Sequence, residues 1–300
     1  MLAGLSSCGK TDGRKNARLH SEDSIYAISY ADELYNIKID SPQCFIYDVA
    51  NDILVFSKGE DKVVYPGSTS KLITALFTLS VLSAEMVITA GDELDMVKPG
   101  SSIAYIKKGH MLTVEMLIQA MMMPSGNDAA YVLSAAVGRA IRNDDGMSAQ
   151  DAVSAFIEDI NAYCLQIGLC GTVITTPDGY AGDEQYTTTE DMAIVAKLAC
   201  QNEIISEYAS LAKANVVYAS GHTNTWINTN KLLDPESAYY SPYVKGLKTG
   251  SISGEYSLVF CFEFDDGRKY IAGLFGADNK NARFKDANTI ISYFEEAIFT

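Results

Sequence analysis

Histidine is scarce in this 300-residue chain. Only His20, His110 and His222 are present, and no H-E-x-x-H run joins any two of them. A metal site is therefore not expected. Bases are scarce too: 23 Lys and Arg stand against 38 Asp and Glu, a net charge of −15. Nucleic-acid binding needs clustered cations to neutralise phosphates, so this balance argues against it. No internal apolar run reaches the roughly 18 residues that suggest a bilayer span. Internal repeats and low-complexity tracts are also missing. What is plentiful is apolar content, 48 % of residues, enough for one large domain or one domain with two lobes.

Six cysteines occur, at 8, 44, 164, 170, 200 and 261, with a spacing that fits no zinc pattern. Cys44 and Cys261 fall in strand-like runs and read as buried apolar thiols. Cys164 and Cys170 can pair only if a helix ends between them. Cys8 follows Leu5-Ser6-Ser7, which resembles a bacterial lipobox and would make Cys8 the lipidated residue. A working signal peptide carries a basic region and an apolar core of roughly 7–15 residues. Only seven residues precede Cys8 and none is basic. The lipobox reading therefore needs an upstream start, and the alternative is a chance match. Residues 1–23 are expected to be this start plus a polar tether, and residues 24–300 one folded unit.

The order of elements points to an α+β fold. "CFIYDVANDILVFSKG" holds two apolar runs around Asn51-Asp52, a hairpin signal. Ser68 to Ser83 reads as a helix whose apolar residues cover most of its circumference, so it should be central and buried. "LTVEMLIQAMMMPSGNDAAYVLSAAVGRAI" reads as two helices split at Pro124, the first capped by Thr113 with Glu115 in its first turn. Two more helices follow, capped by Ser148 and by Thr188 or Thr189. "YSLVFCFEF" and "RKYIAGLFGA" flank Asp265-Asp266-Gly267 as a second hairpin. A last amphipathic helix covers roughly 281–299. The β segments (about 40–65 and 244–276) thus lie at the chain ends, with a mainly helical part (about 68–240) between them. One antiparallel sheet built from both ends and flanked by helices is expected.

Three short motifs carry chemistry. In "GSTSK", Ser68 and Lys71 stand at i and i+3, so on a helix the amine reaches the hydroxyl. A serine hydroxyl is a poor nucleophile until a base takes its proton. Lysine can be that base only if burial or a nearby cation lowers its pKa. The helix start also offers free N–H groups for a developing oxyanion. In "MMMPSGNDAAYVL", Ser125 could relay a proton and Asn127 could bind a peptide carbonyl. In "VKGLKTGSISGEYSLVF", Lys248 and Thr249 could hold a carboxylate, and Gly250 would let a ligand backbone come close. Lys248 would also help to depress Lys71. This third motif is expected just ahead of a strand. Each motif alone has an ordinary reading: a capped helix, a loop cap, a strand lysine beside a turn. Together, and in this order, they are a strong signal.

On these residues the chain resembles the serine D-alanyl-D-alanine carboxypeptidases, the low-molecular-mass penicillin-binding proteins, over roughly residues 40–299. The segment 100–130 looks like the family's lead-in to S-x-N. "GTVITTPDGY" followed by "YTTTEDMAIVAKLA" looks like its N-P-x-G-L and S-T-A-x-D-M-A stretches, and Asn228 to Leu233 like its N-T-N-x-L-L. The resemblance implies a DD-peptidase/β-lactamase-like fold and a peptidoglycan substrate outside the cytoplasm, ending in D-Ala-D-Ala. Ser68 would be the acylated nucleophile, Lys71 its base and Ser125 the proton relay. Asn127 would bind the acyl-side amide. Lys248 and Thr249 would hold the terminal carboxylate, with Gly250 beside them, and the N–H groups of Ser68 and Ser251 would form the oxyanion hole. No cofactor or metal is implied, and β-lactams would act as covalent inhibitors. Membrane attachment would fall to a lipidated Cys8. One departure is Pro66-Gly67 where many members have Pro-Ala. Two alternatives stay open: a cell-wall or β-lactam sensor that acylates with little turnover, and a serine β-lactamase. The second lacks its usual S-D-N and E-x-x-L-N signatures here.

Overall fold

The computed structural model describes residues 29–30, 37–60, 62–181 and 184–296, so the Cys8 reading lies outside the described residues. The chain enters the sheet as a two-residue strand, β1 (Ser29–Tyr30). The apolar runs around Asn51-Asp52 form the antiparallel hairpin of β2 (Gln43–Asp48) and β3 (Ile53–Lys58). The buried helix α1 (Lys71–Val81) follows. A small ladder of β4 (Val87–Thr89) and β5 (Met111–Thr113) leads into α2 (Val114–Met122). Pro124 separates α2 from α3 (Asn127–Arg142), and α4 (Ala149–Gln166) and α5 (Thr189–Gln201) come next. Thr113, Ser148 and Thr188 each accept the hydrogen bond of an N-cap.

The sequence reading did not anticipate α6 (Glu203–Ser210) or the small hairpin of β6 (Lys213–Val217) and β7 (Thr223–Ile227). The chain then returns to the main sheet as β8 (Val244–Ile252), β9 (Glu255–Glu263) and β10 (Lys269–Ala277), and the last described element is α7 (Ala282–Glu296).

The main sheet has the order β1-β3-β2-β10-β9-β8, so strands from both chain ends meet where β2 pairs with β10. The expected α+β architecture is borne out. Both faces of this sheet are covered, and strand alternation sorts side chains between them. Phe45, Tyr47, Val259, Cys261 and Phe275 join the core beneath α1, α2 and α5. Cys44, Ile46, Phe260, Phe262 and Leu274 face α7 with Phe284, Ile290 and Phe294. Cys164 is a free thiol, so the pair Cys164–Cys170 does not form. Among the described residues, β8 has a sheet partner on one side only. That open edge is where the three motifs converge.

Candidate active site

Ser68 does not stand on α1 as expected. Gly67–Ser70 wind a single 3-10 turn, and α1 begins at Lys71. Side-chain bonds hold the turn: Thr69 Oγ1 donates to the Pro66 carbonyl at 2.7 Å and Ser70 Oγ to the Gly67 carbonyl at 2.9 Å. Gly67 has φ +51°, a left-handed backbone that disfavours alanine, which accounts for the Pro-Gly departure from Pro-Ala.

Lys71 is fully buried. Its Nζ donates to Ser68 Oγ at 2.9 Å, Asn127 Oδ1 at 2.7 Å and the Asp178 carbonyl at 2.6 Å. Those three acceptors match the three ammonium protons. Burial pushes its pKa down to about 8, against the opposing pull of the Asp178 and Asp128 carboxylates. Repulsion from Lys248 was the second expected cause, and here burial alone acts in that direction. The repulsion shows on Lys248, which is held well below its ordinary range by burial first, then by Lys71 and Arg283.

The Asp178 carbonyl is delivered by the loop between α4 and α5. Thr74 Oγ1 donates to the Pro177 carbonyl at 2.8 Å, and Gln185 Nε2 donates to Ser70 Oγ at 3.0 Å. These bonds tie the loop to the nucleophile turn and to α1.

Ser125 is buried and has φ +63°, a conformation uncommon outside glycine. Its neighbours hold it there. Gly126 N–H donates to the Ala120 carbonyl at 3.0 Å and Asn127 N–H to the Ser102 carbonyl at 2.8 Å. The buried Asp128 carboxylate accepts from the N–H groups of Ala104, Ile106 and Ala129, all within 3.0 Å. Backbone strain over-determined in this way tends to sit at functional sites.

Lys248, Thr249 and Gly250 lie within β8, inside the β segment expected from about residue 244 but not just ahead of its strand-like run. Lys248 is fully buried and its Nζ donates to the Thr249 carbonyl at 3.1 Å. Thr249 Oγ1 lies 2.6 Å from Thr229 Oγ1, so the Asn228–Asn230 stretch reaches the same edge. The space that Gly250 leaves open is not free for a ligand, as the sequence reading had it. A Cβ there would stand 2.6 Å from the Pro66 carbonyl and 3.1 Å from Thr69 Cγ2. Gly250 therefore lets β8 close on the nucleophile turn. The same closeness brings Ser251 N within 3.1 Å of where a Gly67 Cβ would be.

Arg283, on α7, is the site neighbour that the sequence reading missed. It is buried, and Nη1 donates to the carbonyls of Gly250 and Ser257. Its guanidinium lies 5.4 Å from the Tyr256 ring and 4.9 Å from the Phe284 ring. Burial lowers its pKa to about 10.

A buried lysine beside a serine, a strained serine, and a lysine-bearing strand edge meet in one place. The family model described as D-alanyl-D-alanine carboxypeptidase matches residues 30–278. The chain belongs to this family. It is a serine-type D-alanyl-D-alanine carboxypeptidase, a hydrolase. It is 30% identical over 249 residues to the D-alanyl-D-alanine carboxypeptidase of Streptomyces sp. (strain K15), covering 80% of this chain and 81% of that protein. Against a D-alanyl-D-alanine carboxypeptidase of Escherichia coli (strain K12) the identity is 24% over 265 residues, covering 85% of this chain and 61% of that protein. The crystal structure of the Streptomyces K15 DD-transpeptidase superposes with a TM-score of 0.75 at 26% identity, over 87% of this chain and 98% of that one. Penicillin-binding protein D2 of Listeria monocytogenes, in its ampicillin-bound form, shares the fold with a TM-score of 0.68 at 23% identity, over 86% of this chain and 98% of that one.

Proposed function

We propose that the reaction runs through an acyl-enzyme on Ser68. The observation that carries this is the 2.9 Å contact between Ser68 Oγ and a buried Lys71 whose pKa is about 8. In its neutral form Lys71 has a lone pair for the Ser68 proton, and Oγ attacks the carbonyl of the penultimate D-alanine. The N–H groups of Ser68 and Ser251 take the oxyanion. Asn127 Oδ1 is bound to Lys71, which leaves its amide N–H₂ for the carbonyl on the acyl side. Ser125 passes the proton from Lys71 to the leaving amine, the C–N bond breaks, and D-alanine departs. Water then hydrolyses the ester and Ser68 regains its proton.

Lys248 and Thr249 form the site for the terminal carboxylate, and Gly250 lets their strand close on the nucleophile turn. Burial and two cations hold the Lys248 pKa down, so the empty site carries less charge there than an ordinary lysine would. A bound carboxylate restores that charge. A charge-assisted hydrogen bond of this kind is worth roughly 1.5–3 kcal/mol. A peptide ending in D-Ala-D-Ala should therefore react at least ~10-fold faster than its C-terminal amide. The ratio should shrink as pH rises and Lys248 loses its proton. Release of D-alanine and D-alaninamide, followed across pH, tests this. Equal rates for acid and amide at every pH would remove Lys248 from carboxylate recognition.

The substrate is then the peptidoglycan stem peptide, acted on outside the cytoplasm, and β-lactams acylate the same serine. Residues 24–300 act as the catalytic unit, with attachment through a lipidated Cys8 at the end of the 1–23 tether. A fatty-acid label that survives Cys8→Ala would refute that attachment. A second reading, transfer of the acyl group to an amine in place of water, is favoured by the Streptomyces structural relative, a DD-transpeptidase. Adding an amine acceptor and weighing hydrolysed against aminolysed product separates the two. Steady D-alanine release, beyond one equivalent, separates either from a sensor.

A further inference from the structure

We infer that Cys200 and Cys261 are a modification site: a thiol pair that an oxidant closes into a disulfide, tying α5 to the main sheet. Neither residue takes part in the reaction above. Cys200 stands in the last turn of α5, and Cys261 stands in β9. Strand alternation turns Cys261 to the same face as Val259, and both join the core beneath α5. Cys200 packs against that core from the helix side. Helix and sheet thus bring two thiols from distant parts of the chain into contact, and the two are hydrogen-bonded to each other. Both are free thiols in this structure. Cys44 is differently placed. It lies on the other face of the sheet, and its thiol donates to the Phe45 carbonyl at 3.7 Å.

Thiol–disulfide exchange needs a thiolate and a sulfur within reach of the oxidant. The hydrogen bond from Cys200 holds the Cys261 thiol below its ordinary pKa, and Lys269 and Lys245 act the same way against burial and Glu263. The pair therefore gives up its first proton readily, and proton transfer across the hydrogen bond puts the thiolate on either sulfur. Cys261 is buried, whereas Cys200 is half-buried and is the sulfur that a solute meets. The oxidant is a small disulfide such as oxidised glutathione. The Cys200 sulfur attacks it, forms a mixed disulfide and releases one glutathione. The Cys261 sulfur then displaces the second glutathione from Cys200. Two S–H bonds and the glutathione S–S bond are broken, one S–S bond joins the residues, and two protons and two electrons leave on the two glutathione molecules. A protein that works on peptidoglycan outside the cytoplasm stands where disulfides persist. That placement rests on the reading above, and the closure itself does not. The bond encloses the sixty residues 201–260, which hold α6, the β6–β7 hairpin and β8 with Lys248 and Thr249. A cross-link over a loop of that length removes much of the unfolded chain's freedom.

The test compares fully reduced protein with protein treated with excess oxidised glutathione, both quenched with N-ethylmaleimide. After non-reducing tryptic digestion, mass spectrometry should find peptides 198–213 and 249–268 joined through Cys200 and Cys261, with the loss of two hydrogens, in the oxidised sample alone. The thermal midpoint of the oxidised protein should rise by about 4–8 °C and fall back on adding reductant. Cys200→Ser should show neither the linked peptide nor the rise. The pair would be overturned if the oxidised wild type gave both peptides carrying maleimide, carrying glutathione, or joined to other cysteines. An equal rise in Cys200→Ser would assign the effect to other thiols and overturn the tether. Neither readout depends on D-alanine release, so failure of the carboxypeptidase reading would leave this test standing.

Discussion

The acylation rate should follow the ionisation of Lys71. Only the neutral amine can accept the Ser68 proton, and burial has brought its pKa to about 8. About a tenth of the molecules then carry neutral Lys71 at pH 7, and about nine tenths at pH 9. The second-order rate constant for β-lactam acylation should therefore rise about tenfold between those two values and level off above them. An unshifted lysine, near ~10.4, would still be rising steeply at pH 9. Asp178 and Asp128 oppose the effect of burial, so Asp178→Asn should move the midpoint to lower pH. Lys71→Arg should abolish acylation, because a guanidinium keeps its proton. Stopped-flow or quenched labelling with a fluorescent penicillin between pH 6 and 10 reads all three proteins. A flat profile, a midpoint near 10 in the wild type, or an upward shift in Asp178→Asn would refute the assignment of Lys71 as base.

Arg283→Leu leaves the Gly250 and Ser257 carbonyls without their shared donor, and should cost about 1–3 kcal/mol, read as a lower urea midpoint. Gly250→Ala drives a Cβ to 2.6 Å from the Pro66 carbonyl, so β8 and the nucleophile turn must part. Penicillin acylation of that variant should fall at least ~10-fold while its circular dichroism stays native, since about 1.4 kcal/mol of lost alignment is enough.

Much of the fold could be read from the sequence because its signals are local. Thr113, Ser148 and Thr188 cap their helices through bonds to residues three positions on. Pro124 and the Asp266-Gly267 turn mark boundaries by their own backbone chemistry. What was not legible depends on distant partners. The 3-10 turn at Gly67–Ser70 comes from a left-handed glycine packed on β8, which helical periodicity does not register. β8 read as a lead-in because Lys248, Thr249 and two glycines interrupt its apolar pattern, although Lys248 is fully buried. The carbonyl that binds Lys71 comes from Asp178, 107 positions away, and a backbone oxygen has no residue signature. Arg283 reaches Gly250 across 33 positions and looks in sequence like an ordinary basic residue at a helix start. The three motifs could name the nucleophile and its neighbours. They could not show that burial, and not repulsion by Lys248, is what tunes the base.

The acyl-enzyme on Ser68 is the central claim, and intact mass after exposure to benzylpenicillin tests it most directly. The wild type should gain the mass of one drug molecule, with the adduct on the peptide that carries Ser68. Ser68→Ala, which keeps the Lys71 contacts to Asn127 and Asp178, should gain nothing under the same conditions. A stoichiometric adduct that persists in Ser68→Ala would place the nucleophile elsewhere and contradict the mechanism.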